Sequence, residues 1–220
     1  MTRSAPPLKL YSYFRSSCSY RVRIALHYKG LHFETQAVHL VKDGGAQKRE
    51  DYLRINPMAQ VPALQIEDGR VLTQSTAILE YLEERWPKPA LAPRDPWERA
   101  KAREIAQMIN SGIQPIQNLS LNKELTARFH AGEDQIVQWN RFWIQKGLAA
   151  IERQLAHTAG TYCVGSQLSW ADVCLVPQVY NARRFALDLS PFPCVARIDA
   201  TCTALPAFAA AHPDKQPDSP

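Results

Sequence analysis

Leu8-Lys9-Leu10-Tyr11-Ser12-Tyr13-Phe14-Arg15-Ser16-Ser17-Cys18-Ser19-Tyr20-Arg21-Val22-Arg23-Ile24-Ala25-Leu26 changes character at Arg15. The aliphatic and aromatic run Leu8 to Phe14 predicts a strand, and Arg15-Ser16-Ser17 a polar break. The residues from about Cys18 to Lys29 predict a helix that Gly30 stops. A helix starting directly after a strand leaves its first N–H groups unpaired and points the positive end of its dipole at the break, which suits an anion. A hydroxyl or thiol at such a place can hydrogen-bond a bound thiolate or be nucleophilic itself, since a thiol pKa falls there. Equally, Ser16 and Ser17 can serve only to cap the helix.

Outward from this stretch, Phe33 to Leu40 predicts a second strand, followed by a loop at Gly44-Gly45 and a short helix ending near Asn56-Pro57. Ala63 to Ile66 reads as a third strand, and the Asp68-Gly69 turn predicts that Val71 to Thr73 pairs with it antiparallel. From Ser75, the spacing of Ile78, Leu79, Leu82 and Trp86 predicts a helix with Glu80, Glu83 and Glu84 on its other side. The order is βαβαββα over residues 1–86. Residues 87–96, with prolines at 87, 89, 93 and 96, read as a linker.

Residues 97–220 read as all-helical, giving an α/β domain followed by an all-α domain. Ile105, Met108, Ile109, Gly112, Ile113 and Ile116 predict one long helix kinked near its end by Pro115. Ile144, Leu148, Ile151 and Leu155 mark another, and Ser169-Trp170-Ala171-Asp172 has the Ser-x-x-acid form that opens a helix toward Tyr180. The tail from His212 onward, with prolines at 213, 217 and 220, reads as extended and peripheral.

Composition narrows the function classes. With 45% hydrophobic and 21% charged residues among 220, the chain can bury a substantial core, which argues against a disordered protein. The net charge of +5 comes from scattered basic residues, which weighs against nucleic acid as a partner and is compatible with a small anion. Neither a leader segment nor a membrane span is expected. Five cysteines without CxxC spacing disfavour a disulfide framework and a paired-cysteine metal site, so a reducing cytoplasm and no metal are expected. Two further places suit an extended anionic ligand. Gln74-Ser75 opens a helix and can offer a hydroxyl and N–H groups to a carboxylate, or be an ordinary cap. At Val61-Pro62 a cis bond would turn the Val61 backbone outward toward a peptide, whereas a trans proline would merely start a strand.

Tyr11 to Leu26 closely resembles the N-terminal signature of zeta-class glutathione transferases. The likeness continues through Asn56-Pro57-Met58, Gln60-Val61-Pro62, Gln74-Ser75, Gly112 to Ser120, Tyr162 to Gly165, Ala171-Asp172, Leu175 to Val179, Asn181 to Phe185 and Gln216-Pro217-Asp218. Tyr20 departs from the family, which often carries Trp there. The resemblance implies a glutathione transferase fold with a thioredoxin-like N-terminal domain, glutathione as cofactor, a homodimer, and a small diketo-acid substrate. The implied activity is cis–trans isomerisation of maleylacetoacetate to fumarylacetoacetate, a step of tyrosine and phenylalanine degradation. It implies Ser16, Ser17 and Cys18 as active-site residues, with Ser17 the hydrogen-bond donor to the glutathione sulfur. It further implies Val61 on the tripeptide backbone, Gln74 and Ser75 at the γ-glutamyl group, and Gln47, Gln114, Asn118 and Ser120 lining the pockets.

A dianionic substrate calls for forked guanidinium groups, and Arg15 and Arg184 are the candidates. Without the family, Arg184 and its neighbour Arg183 read as surface charges. Rival activities are a maleylpyruvate isomerase, a thiol transferase using Cys18, and a non-catalytic carrier. Family members acting on maleylpyruvate tend to carry arginines where this chain has Asn118-Leu119-Ser120-Leu121, and Cys18-Ser19-Tyr20-Arg21 lacks a second cysteine.

Overall fold

β1 (Leu8–Ser12) buries Leu8, Leu10 and Ser12 and leaves Lys9 and Tyr11 half-buried, the period-two alternation of a strand. The computed structural model describes residues 7–220, so Met1 to Pro6, where part of the leader expectation falls, lie outside the described residues. β1 ends two residues before the predicted Phe14. The Tyr13 carbonyl turns to accept from the Ser16 N–H at 3.0 Å, and the Phe14 carbonyl accepts from Arg23 Nη2 at 3.0 Å. α1 (Ser17–Tyr28) then crosses to β2 (Phe33–Ala37), which lies parallel to β1 with Leu8 opposite Phe33. α2 (Glu50–Leu53) precedes β3 (Ala63–Gln65), which runs antiparallel to β1. β4 (Val71–Thr73) completes the hairpin expected from Asp68-Gly69, giving the order β2-β1-β3-β4. α3 (Ser75–Arg85) buries Ile78, Leu79 and Leu82 as its periodicity predicts. Its Glu83 accepts from the buried Lys29 ammonium at 2.7 Å.

A second compact unit, Ala90–Ala204, is helical. α4 (Pro96–Gly112) starts on an Asp95 cap, with Asp95 Oδ1 accepting from the Glu98 N–H at 2.9 Å. Rather than running on to a kink at Pro115, α4 stops at Gly112. The Gln114 N–H turns back to the Ile109 carbonyl at 2.9 Å, and Pro115 has no N–H with which to extend the ladder. α5 (Leu119–Phe129), which no periodicity announced, follows the turn. α6 (Glu133–Thr158) buries Ile144, Leu148, Ile151 and Leu155. At Gly147 a Cβ would come within 2.3 Å of Ile113 Cδ1, so this glycine admits the side chain that closes the turn after α4. α7 (Trp170–Arg184) runs past Tyr180 and through Pro177, and α8 (Pro193–Thr203) follows.

The chain then returns to the sheet. The first compact unit comprises the chain up to Pro89 together with Leu205–Pro220, a segment that sequence alone joins to the helical domain. α9 (Pro206–Ala211) packs on α1, where the fully buried Arg23 donates from Nε to the Ala211 carbonyl and from Nη1 to Ser12 Oγ, both at 3.0 Å. The tail is not peripheral. Gln216 Nε2 bonds the His212 carbonyl at 2.9 Å, and Asp218 Oδ2 accepts from the Phe14 N–H at 2.9 Å. Buried arginine and backbone polar groups need partners, and this returning segment supplies them.

Candidate functional site

At the β1–α1 junction the two serines have different jobs. Ser16 is the N-cap: its Oγ accepts from the Ser19 N–H at 3.2 Å, and its carbonyl accepts from the Tyr20 N–H at 2.9 Å. Ser17 is the first residue of α1, is 5% exposed, and its hydroxyl forms no hydrogen bond among the described residues. The N–H groups of Ser17 and Cys18 likewise have no acceptor there. The junction therefore presents one free hydroxyl and two free N–H groups at the positive end of α1. Arg15 is exposed, its Nη2 donating to Tyr13 Oη at 3.3 Å, and its guanidinium lies 5.4 Å from the centre of the Phe14 ring. Because Ser16 caps the helix, Ser16→Ala is expected to lower stability by about 1 kcal/mol. A urea midpoint that stays put would remove it from that role.

Val61 precedes Pro62 through a cis peptide bond, and its own N–H and C=O form no hydrogen bond among the described residues. Its side chain packs with Tyr13, Phe14, Val38 and Tyr52, so the free peptide groups belong to the same cluster as the junction. Leu40 and Ala46 pack on that cluster too. Gln47, 7% exposed, donates from Nε2 to the Leu40 carbonyl at 3.3 Å, while its Oε1 is buried without a partner. α3 opens with no side-chain cap and no acidic residue in its first turn, after an exposed Gln74 at φ 70°. Ser75 Oγ accepts from Arg21 Nη1 at 3.1 Å, which leaves the Ser75 hydroxyl proton to point elsewhere. Arg21 is fully buried and was not among the sequence candidates, because an arginine in a helix ordinarily reads as a solvated charge. Two open helix starts, a free peptide group and an unsatisfied amide oxygen fit an elongated anionic peptide with a thiol.

In the helical unit, Gln114 lies half-buried in the turn after α4. Asn118 caps α5, its Oδ1 accepting from the N–H of Ser120 at 3.0 Å and the hydroxyl of Ser120 at 3.1 Å, so these two candidates are bonded to each other. The turn is anchored by a buried amide pair, Gln117 Nε2 to Gln178 Oε1 at 2.7 Å, and by Trp139 Nε1 to the Ile116 carbonyl at 2.9 Å. Arg183 pairs with the buried Asp199 at 2.6 Å, so its half-exposed guanidinium has a partner in the core rather than on the surface. Arg184 is exposed and donates to Asn181 Oδ1 at 3.3 Å.

All five cysteines are free. Burial pushes the Cys163 and Cys202 thiols well up, and a hydrogen bond to Glu152 raises that of Cys194, so these three stay neutral. Among the described residues no helix is long and apolar enough to cross a membrane, and no group of three His, Cys, Asp or Glu residues could hold a metal ion.

Family models for the N-terminal and C-terminal domains of glutathione S-transferase match residues 15–85 and 143–212. A solved maleyl pyruvate isomerase, described as a bacterial glutathione S-transferase in the zeta class, superposes with a TM-score of 0.92 at 42% identity, covering 96% of this chain and 100% of that one. The chain belongs to the zeta-class glutathione transferases. This transferase is also 53% identical over 211 residues to the maleylacetoacetate isomerase of Mus musculus, covering 96% of this chain and 94% of the mouse protein. The maleylacetoacetate isomerase of Anaeromyxobacter dehalogenans, solved with glutathione in its active site, superposes with a TM-score of 0.87 at 48% identity, covering 97% of this transferase and 98% of that chain. The sheet order, the parallel β1–β2 pair and the helical second unit are the glutathione transferase architecture expected from the sequence.

Proposed function

We propose that this transferase is a glutathione-dependent cis–trans isomerase converting maleylacetoacetate to fumarylacetoacetate, within aromatic amino-acid degradation. The chemistry rests on one observation, the unpartnered Ser17 hydroxyl beside the open N–H groups of Ser17 and Cys18. When bound, glutathione supplies a thiolate that adds reversibly to the conjugated double bond and leaves a single bond about which the substrate can turn.

The chain's own residues hold and tune that thiolate. Ser17 donates its hydroxyl proton to the sulfur, and the first N–H groups of α1 favour its negative charge. Ser16 keeps that helix start in register as the cap, and the neighbouring Cys18 contributes to the sulfur's surroundings. Val61 pairs its free N–H and C=O with the tripeptide backbone. Ser75, polarised from behind by the buried Arg21, donates with Gln74 to the γ-glutamyl carboxylate, and Gln47 offers its unsatisfied amide. In the first unit Arg15, and in the second Arg184, are the guanidinium groups proposed for substrate carboxylates. Gln114, Asn118 and Ser120 are proposed as lining residues, the last two acting from the cap they share. Glutathione binding is assigned to the domain of residues 1–86, which Leu205–Pro220 joins, and substrate selection to the helical residues between the 87–96 linker and Ala204.

A homodimer is proposed from the family and from large apolar side chains left exposed, Met58 in the first unit and Trp97 and Phe142 in the second, at 63%, 73% and 57%. The five free thiols agree with a cytoplasmic setting. The test supplies maleylacetoacetate and maleylpyruvate with and without glutathione and follows loss of each cis isomer. Turnover is expected only with glutathione and faster on maleylacetoacetate. Faster turnover of maleylpyruvate would transfer the assignment to that substrate, which the superposition on its isomerase makes the second reading. Glutathione-independent turnover, or none on either substrate, would overturn the proposal. Disulfide reduction lost in Cys18→Ala would then favour the thiol transferase.

A further inference from the structure

We propose that Tyr52 and Asn56, to neither of which the sequence or the family likeness assigns a role, are positioning residues that aim the Val61 N–H at the backbone of bound glutathione. This rests on the glutathione reading above. Both residues donate to one acceptor, the Gln60 carbonyl: Tyr52 Oη at 2.6 Å and Asn56 Nδ2 at 2.7 Å. A carbonyl oxygen has two lone pairs, and here both are used, so its direction is set. The Gln60–Val61 bond is not among the chain's cis bonds, and in a planar trans peptide the N–H points opposite to the C=O. Turning the Gln60 carbonyl toward Tyr52 and Asn56 therefore turns the Val61 N–H away from them, and that N–H has no acceptor among the described residues.

The two donors are themselves locked. Tyr52 is 4% exposed and packs with Val61 in the same cluster, and burial holds its phenol protonated far above the ordinary range, so it remains a donor at any working pH. Asn56 is 1% exposed, and the other end of its side-chain amide, Oδ1, accepts from the Met58 N–H at 3.1 Å. Its backbone carbonyl accepts from the Ala59 N–H at 2.9 Å. One asparagine thus spans the loop from 56 to 60, and its side chain cannot swing without breaking two bonds at once. Neither side chain is asked to touch the ligand; each acts through the peptide it orients.

The test is a cycle between protein and ligand variants. Tyr52→Phe deletes only the hydroxyl and keeps the ring in its cluster; Asn56→Asp sets a carboxylate oxygen against the Gln60 carbonyl. Each is titrated calorimetrically with glutathione and with a reduced-amide analogue whose cysteinyl C=O is replaced by CH2, the group the Val61 N–H would meet. Each variant is expected to bind glutathione about fivefold to tenfold more weakly, the effect of one misaimed hydrogen bond, and to bind the analogue as the parent does. The KM for glutathione should rise by the same factor. Equal losses with both ligands, or no loss with either, would overturn the proposal. If a variant fails to fold, the Val61 amide of the parent protein decides: its hydrogen exchange should slow on adding glutathione and not on adding the analogue, and the reverse overturns it. Ligand coupling retained without any isomerisation would sink the assigned activity while leaving the positioning role intact.

Discussion

Ser17→Ala is expected to cut isomerisation about a hundredfold while glutathione binding stays within about threefold, because the hydroxyl matters most when the sulfur carries negative charge. The structure separates this residue from its neighbours. The Ser16 Oγ is held at the cap by the Ser19 N–H, which fixes where that oxygen sits, whereas the Ser17 hydroxyl has no protein partner to give up among the described residues. Alanine at the first helical position keeps α1 intact, since it is a good helix former and the cap lies one residue earlier. The loss should therefore appear in turnover and in the titration of the bound thiol, which moves to higher pH when a donor to the thiolate is removed. Following thiolate absorbance against pH with bound glutathione gives that shift directly. An unchanged rate and an unchanged thiol titration would remove Ser17 from its role and leave the helix start alone to stabilise the charge.

The largest effect on stability is expected at Asp172, at the opposite end of α7 from the candidate Arg184. Its carboxylate is fully buried and accepts three hydrogen bonds: from the Cys163 N–H at 2.7 Å, the Ser169 N–H at 2.8 Å and the Ser169 hydroxyl at 2.9 Å. It therefore closes the start of α7 and pins the loop before it. Asp172→Ala strands two buried backbone donors, each worth about 1–3 kcal/mol when left unsatisfied, so a loss on the order of 4 kcal/mol is expected. Asp172→Asn keeps one acceptor oxygen and should lose roughly half as much. Urea unfolding at constant slope measures both. A loss below about 1 kcal/mol for the alanine variant would mean that water or a shifted backbone satisfies the donors instead.

Locally encoded features were legible because neighbouring residues decide them. The alternation of Leu8 to Ser12, the hairpin at Asp68-Gly69, the start of α3 at Ser75 and the Ser169–Asp172 helix opening depend on period, turn chemistry and caps within a few residues. At Pro115 the helix ends earlier than the spacing predicts because apolar residues continue to Ile116 although the backbone has already turned, and spacing alone does not register a lost N–H. α5 was silent because none of its residues is buried, so no apolar face marks it.

By itself the sequence determined the order of elements over residues 1–86, the break before α1 and the family likeness, since each is written in contiguous residues. Only the tertiary structure decided which serine is free, that Arg21 stands behind Ser75, that the tail returns to Phe14 and Arg23, and that Tyr52 and Asn56 turn the Val61 peptide. For Arg21, Phe14 and Arg23 this is a choice of partner for a buried polar group across tens of residues of chain; for Ser16, Tyr52 and Asn56 the partner is near in sequence, and packing decides which neighbouring group is left open. Burial makes an unpaired donor or acceptor costly, but which distant group satisfies it is settled when the elements pack, and no local pattern carries that information.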